Sequence, residues 1–183
     1  MHMTKIKIEE NIFNVEICDV SGNQKDILEA KAFFPGSAIA LIVFDICDYP
    51  SFFNVEYWLQ ILAENNPDPN LMLAIVGNKN DQAKDRKVDY ETVKSLADQN
   101  NVIYFETSAK ETKTALPFTR IGDLLEYLLQ NYLKSAPERY SLSDSFDSQE
   151  ENQSESYGDT PDTKKKSYRE NLNKFQEQIM DNN

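Results

Sequence analysis

Glycine is scarce: positions 22, 36, 77, 122 and 158 hold the only five in 183 residues. No Gly-x-x-x-x-Gly-Lys-Ser/Thr phosphate loop occurs among them. One histidine (His2) and two cysteines (Cys18 and Cys47) are too small a donor set for a zinc centre. Each cysteine lies in an apolar, strand-like run, which fits two small buried hydrophobes in a reducing compartment. Positive charge is also short, with 19 Lys and Arg against 31 Asp and Glu and a net charge of −12. That balance argues against a nucleic-acid surface. The apolar runs fall far short of a bilayer span, and no secretory leader opens the sequence. A cytoplasmic protein is the expectation.

The most informative stretch that is present is Leu71-Met72-Leu73-Ala74-Ile75-Val76-Gly77-Asn78-Lys79-Asn80-Asp81. Its apolar part is too short for a typical helix and suits a strand buried on both faces. Open α/β sheets bind ligands at the carboxyl ends of such strands. The loop that follows offers an amide, an ammonium and a carboxylate within four residues. Asp81 can accept two parallel hydrogen bonds from a base edge with two N–H donors, which guanine has and adenine lacks. The alkyl stem of Lys79 is long enough to lie over a flat ring, and Asn78 can tie its loop to a neighbour.

Along the chain, Lys5-Ile6-Lys7-Ile8 alternates as a strand, Glu9-Glu10-Asn11 reads as a turn, and Phe13, Val15 and Ile17 share one face of a second strand. The hairpin runs into Asp19-Val20-Ser21-Gly22-Asn23. An Asp at a strand end can hold a metal ion through water, and a glycine three residues later lets a backbone N–H approach a phosphate. Residues 24–34 form a weak helix before Pro35-Gly36. A continuous apolar strand follows over 38–46, then a turn with Pro50 and Ser51 near a helix cap. Phe52, Val55, Trp58, Leu59 and Leu62 recur at helical spacing, as on one amphipathic helix. Beyond Asp81 lie a charged loop (82–87), a helix with Val93, Leu96 and Ala97 inward, and a last strand at 102–105. That strand is followed by Glu106-Thr107-Ser108-Ala109-Lys110, and a closing helix carries Ile121, Leu124, Leu125, Leu128, Leu129 and Tyr132 in its apolar stripe.

Three of these segments resemble elements of the Ras-superfamily small GTPases. Asn78-Lys79-x-Asp81 resembles the guanine-recognition motif, and Asp19-x-x-Gly22-Asn23 resembles the Asp-x-x-Gly-Gln motif that senses the terminal phosphate. Ser108-Ala109-Lys110 resembles the second base loop. Their order, context and separations suit the family. Val43-Phe44-Asp45-Ile46, Ser51-Phe52-x-Asn54-Val55-x-x-Trp58-Leu59 and Val76-Gly77-Asn78-Lys79-x-Asp81 look Rab-like. The resemblance implies a P-loop-NTPase-like α/β three-layer sandwich over 1–134, N-terminally truncated, with the first strand and first helix missing. It also implies GTP or GDP binding with Mg2+, and regulation of vesicle traffic through effectors or regulators. In it, Asn78, Lys79, Asp81, Ser108, Ala109 and Lys110 bind the base, with Ala109 N–H reaching the guanine carbonyl and Lys110 covering the ring. Gly22 contacts phosphate, Asp19 holds the metal through water, and Asn23 stands at the catalytic position. There the family has glutamine to orient the attacking water. Asn23 is one methylene shorter, so hydrolysis is expected to be impaired.

Without a phosphate loop, three readings stand side by side: an active GTPase read from a partial sequence, a nucleotide-independent pseudo-GTPase interaction module, and a non-functional fragment. The family's first strand would separate the strand ending at Asp19 from the strand ending near Asp45. Without it, those two strands must pair with each other, take a strand from another chain, or keep unpaired backbone groups. Residues 135–163 read as a disordered acidic tail, and Tyr168, Leu172, Phe175 and Ile179 suggest a short helix over 165–180. No cysteine follows Cys47, so no lipid anchor is expected, and any vesicle association would be peripheral and through a partner.

Overall fold

A computed structural model describes residues 1–110 and 120–135, and the tail readings lie outside these residues. The chain divides into two units, Met1–Tyr132 and Leu133–Asn183, and the elements below lie in the first except for the last residues of α5.

Two sheets form. In the first, β1 (His2–Ile8) pairs antiparallel with β2 (Asn11–Ile17), with Ile6 opposite Phe13 and Thr4 opposite Val15. Glu9 turns the hairpin at a left-handed φ of 54°. The second sheet is parallel, in the order β3 (Ile39–Asp45), β4 (Met72–Asn78), β5 (Ile103–Glu106). Parallel strands need crossover helices, and the sequence supplies them. α2 (Tyr49–Phe53) and α3 (Val55–Asn65) join β3 to β4, and α4 (Tyr90–Asn100) joins β4 to β5. α1 (Ile27–Lys31) precedes β3 and α5 (Ile121–Ser135) follows β5. The fold is a P-loop-NTPase-like α/β architecture, as the motif resemblance implied.

The caps explain the boundaries. Asp48 accepts the Ser51 N–H at 3.2 Å with Pro50 in the first turn, and Asp89 accepts the Thr92 N–H at 3.3 Å. Asn101, at φ 56°, closes α4 in the left-handed conformation. The expected single helix over 51–62 is interrupted at Asn54, which caps both α2 and α3. Its side chain turns back to donate to the Pro50 carbonyl at 3.3 Å, a local bond that competes with the helix ladder. The weak helix over 24–34 shortens to a 3-10 turn (Gln24–Asp26) and α1, and the charged loop after Asp81 is a 3-10 turn over Asn80–Asp85.

One core face gathers Ile42 and Phe44 of β3, Ile75 of β4 and Tyr104 of β5 with Val55, Leu59 and Leu62 of α3 and Val93 and Ala97 of α4. Trp58 packs against this cluster as a structural residue. The opposite face carries Ala74, Val76, Ile103 and Phe105, each at most 2 % exposed, and Leu124 and Leu128 of α5 are fully buried as well. Tyr132 Oη, in α5, donates to Asp68 before β4 at 3.1 Å.

Among the described residues β2 and β3 do not pair with each other. The two strands belong to different sheets, and β3 is an edge. The Ala38 carbonyl accepts from Met72 and the Ile46 N–H donates to Asn78, so even-numbered residues of β3 face β4. The backbone groups of Ile39, Leu41 and Val43 therefore face outward, and Val43 is 57 % exposed. Asp45 lies on the same outward register, and its N–H is taken by Ser51 Oγ at 3.0 Å.

Candidate functional site

The expected base-reading residues come together at the carboxyl ends of β4 and β5. These strands are neighbours in register, Gly77 opposite Glu106, so the segments leaving them start side by side. The close approach depends on Gly77. A Cβ there would lie 2.9 Å from both Ile46 Cγ2 and Tyr104 Oη. Backbone bonds then lace the segments together, Thr107 N–H to the Gly77 carbonyl at 2.9 Å and Asn80 N–H to the Thr107 carbonyl at 3.1 Å.

Side chains complete the connection. Asn78 Oδ1 accepts the Ala109 N–H at 3.1 Å, which is the loop-to-loop tie expected of this residue. Ser108 Oγ donates to Asp81 Oδ1 at 2.5 Å and accepts the Lys110 N–H at 3.1 Å. Asp81 is thus braced through one oxygen while remaining part-exposed. The Ala109 N–H assigned to a guanine carbonyl is already held by Asn78, so a base oxygen would share that donor. Lys110 is exposed.

Lys79 stands at φ 67° and ψ 34°, a left-handed conformation unusual for a residue with a Cβ. The turn presents its ammonium to Asp45, with Nζ 2.6 Å from Oδ2. The other Asp45 oxygen accepts the Cys47 N–H at 2.8 Å. Partial burial works to raise the Asp45 carboxyl, but the hydrogen bonds and charge of Lys79 and the Cys47 amide outweigh it and hold it below the usual range. The same pairing raises the Lys79 ammonium, through its hydrogen bond to Asp45 first. Asp45 was visible in sequence only as part of a Rab-like strand, and nothing there showed it as the partner of Lys79.

The segment expected to sense phosphate is organised separately. Asp19, Gly22 and Asn23 are all exposed, and a Cβ on Gly22 would meet nothing within 4 Å. Asn23 Oδ1 accepts the Lys25 N–H at 3.1 Å, and Ser21 Oγ donates to Asp26 at 2.7 Å, local bonds that shape the turn into α1. Among the described residues no hydrogen bond or ion pair joins Asp19, Gly22 or Asn23 to the base loops. Mg2+ is held by one or two carboxylates together with waters and substrate phosphates. Asp19 offers one carboxylate, and no group of three His, Cys, Asp or Glu among the described residues is placed to hold a metal ion. The described residues do not fit a metal site built by protein alone.

A family model described as the Ras family matches residues 1–123. The chain belongs to the Ras family. Within it the chain is Rab-like. It is 35 % identical over 107 residues to the Ras-related protein Rab11B of Nicotiana tabacum, covering 58 % of this chain and 49 % of that protein. It is 33 % identical over 106 residues to the Ras-related protein RABA1c of Arabidopsis thaliana, again 58 % and 49 % of the two chains. RABA1h of the same plant matches at 34 % over 106 residues, 58 % of this chain and 48 % of that one. This Ras-family chain thus spans about half the length of the curated relatives it matches. No helix among its described residues is long and apolar enough to cross a membrane.

One polar group lay outside the sequence reading. Arg86 Nη1 and Nη2 donate to Glu106 Oε1 and Oε2 at 2.8 and 2.7 Å, and Tyr104 Oη also donates to Glu106. Glu106 immediately precedes the Thr107–Lys110 segment, and Arg86 follows the Asn80–Asp85 turn. A signal for the pair existed only in Glu106 preceding the Ser-Ala-Lys loop, and nothing marked Arg86 as its partner.

Proposed function

We propose that this Rab-like chain reads a guanine base with Asn78, Lys79, Asp81, Ser108, Ala109 and Lys110, as a guanine-nucleotide-binding domain of a vesicle-traffic regulator. The observation that supports this most is the pair of cross-loop bonds, Asn78 Oδ1 with Ala109 N–H and Ser108 Oγ with Asp81 Oδ1. They hold a carboxylate and a backbone amide on adjacent loops before any ligand arrives, which lowers the ordering cost of binding. Asp81 takes the two N–H groups of the guanine edge, the Ala109 amide shares its proton with the base carbonyl, and the Lys79 stem covers the ring. Asp19, Gly22 and Asn23 are the residues proposed for the metal and phosphate side. With no phosphate loop in these residues, affinity is expected at about micromolar to millimolar. The domain is proposed as 1–134, acting in the cytoplasm and reaching vesicles through a partner. Calorimetry with GDP and Mg2+ tests this: saturable heat in the native chain, lost in Asp81→Ala, is the expected result.

A second reading is favoured by the exposure of Asp19, Gly22 and Asn23, which among the described residues make no hydrogen bond or ion pair to the base loops. In it the chain is a nucleotide-independent interaction module with impaired or absent hydrolysis. Absence of any heat with GDP or GTP would select it.

A further inference from the structure

We propose that Arg86 and Glu106 are positioning residues that hold the two base loops in register and so set the preference for guanine over bases lacking its exocyclic amino group. The inference rests on the base-reading function proposed above. Arg86 closes the segment that begins at Asn78, and Glu106 opens the segment that ends at Lys110. The guanidinium and carboxylate meet fork to fork, at 2.8 and 2.7 Å, a planar geometry that fixes direction as well as distance. Arg86 Nη1 donates also to the Val88 carbonyl at 3.2 Å, which fastens the segment's far end.

The pair is shielded, with the two side chains 24 % and 12 % exposed. By contrast, Asp98 in the Lys94 pair on α4 is 52 % exposed. The hydrogen bond to Glu106 raises the guanidinium above its usual range, so it stays charged at every working pH. Tyr104 adds a hydroxyl to the same carboxylate, and its ring packs against Tyr90 at 5.1 Å between centroids. Glu106 Cγ stands 3.3 Å from the position of a Cβ on Gly77, so the carboxylate stem rests against the backbone from which Asn78 departs.

A part-buried fork therefore pins the far end of the segment that leaves β4 to the end of β5. The Asn78–Ala109 and Asn80–Thr107 bonds join the same two segments. Arg86 acts through these loops. Losing the fork leaves Glu106 with fewer donors, and lysine in place of Arg86 keeps the charge but not the two parallel bonds.

The test uses the full chain and two variants, Arg86→Ala and Arg86→Lys. Hydrogen exchange at the Asn80 and Ala109 amides reports the register without nucleotide. Calorimetry with GDP and with inosine diphosphate reports the preference. Arg86→Ala is expected to speed exchange at both amides by about tenfold or more and to bring the GDP to inosine diphosphate affinity ratio towards one. Arg86→Lys is expected to fall between it and the native chain. Unchanged exchange and an unchanged ratio, with only a lower melting temperature, overturn the proposal and leave the pair as a plain stabiliser. If Arg86→Ala does not fold, Arg86→Lys decides on the same readouts. A native chain that binds neither diphosphate refutes the base-reading function, and the exchange data alone then decide whether Arg86 sets the register.

Discussion

Asp45 and Lys79 are joined across the ends of β3 and β4, with Oδ2 and Nζ 2.6 Å apart. The lysine expected to cover a base is therefore fixed at its tip by the edge strand, and its stem alone is left to meet a ring. A left-handed backbone at Lys79 is the conformation that makes this reach. The pair also makes Asp45 an acid-sensitive carboxylate beside the site.

Its pH dependence has a definite sign. The folded-state pKa of Asp45 is lowered, so its stabilising contribution is present above the unfolded value of about 4 and is lost as pH falls through the folded value. Asp45→Asn is expected to lower the melting temperature slightly at neutral pH, since the Lys79 side chain is 49 % exposed and screened. The difference from the native chain should shrink towards zero as pH is taken well below 4. Thermal melts of both proteins from about pH 7 to 3 measure it, and a constant difference across that range would contradict the assignment.

Ser108→Ala removes the hydroxyl that links Asp81 Oδ1 to the Lys110 amide. Without that brace the Asp81 side chain must be ordered on binding, at a cost of about 0.5–1.5 kcal/mol, so a loss of roughly two- to tenfold in GDP affinity is expected. Fold stability should change little, because the bonds lie at a part-exposed loop. Calorimetry beside a denaturant titration separates the two effects.

Gly77→Ala and Gly22→Ala form a contrasting pair. At Gly77 a Cβ would sit 2.9 Å from Ile46 Cγ2 and from a Tyr104 hydroxyl that is tied to Glu106, so neither neighbour yields cheaply. Overpacking of this kind costs about 1–3 kcal/mol. At Gly22 nothing lies within 4 Å, and alanine should be close to neutral. Urea unfolding midpoints of the two variants give the comparison, with equal midpoints counting against the packing account.

Much of this arrangement was legible in the residues. Alternation in Lys5–Ile8 and Phe13–Ile17 marked the hairpin, and the uninterrupted apolar runs marked β3 and β4 as strands; β4 is buried on both faces as expected, whereas β3, expected to be buried, leaves Val43 exposed. Asn78 was read as a tie between loops, and it reaches Ala109. Ala109 was read as a donor to a ligand, and the same bond shows it already engaged. The break at Asn54 was hidden because Phe52, Val55 and Leu59 keep their helical spacing through it. The Arg86–Glu106 fork spans 20 positions and joins two residues that look like surface charge in a linear reading. Distance in the chain, side-chain direction and a left-handed lysine are set by tertiary packing, which no periodicity carries.

The outward backbone of Ile39, Leu41 and Val43 has a thermodynamic consequence. Any extended segment that completes this ladder binds the folded chain and not the unfolded one. Its presence at concentration [L] adds RT ln(1 + [L]/Kd) to the folding free energy, about 2.7 kcal/mol at a hundredfold excess over Kd. With such a segment bound, the melting temperature would depend on its concentration as well as on the chain's own residues.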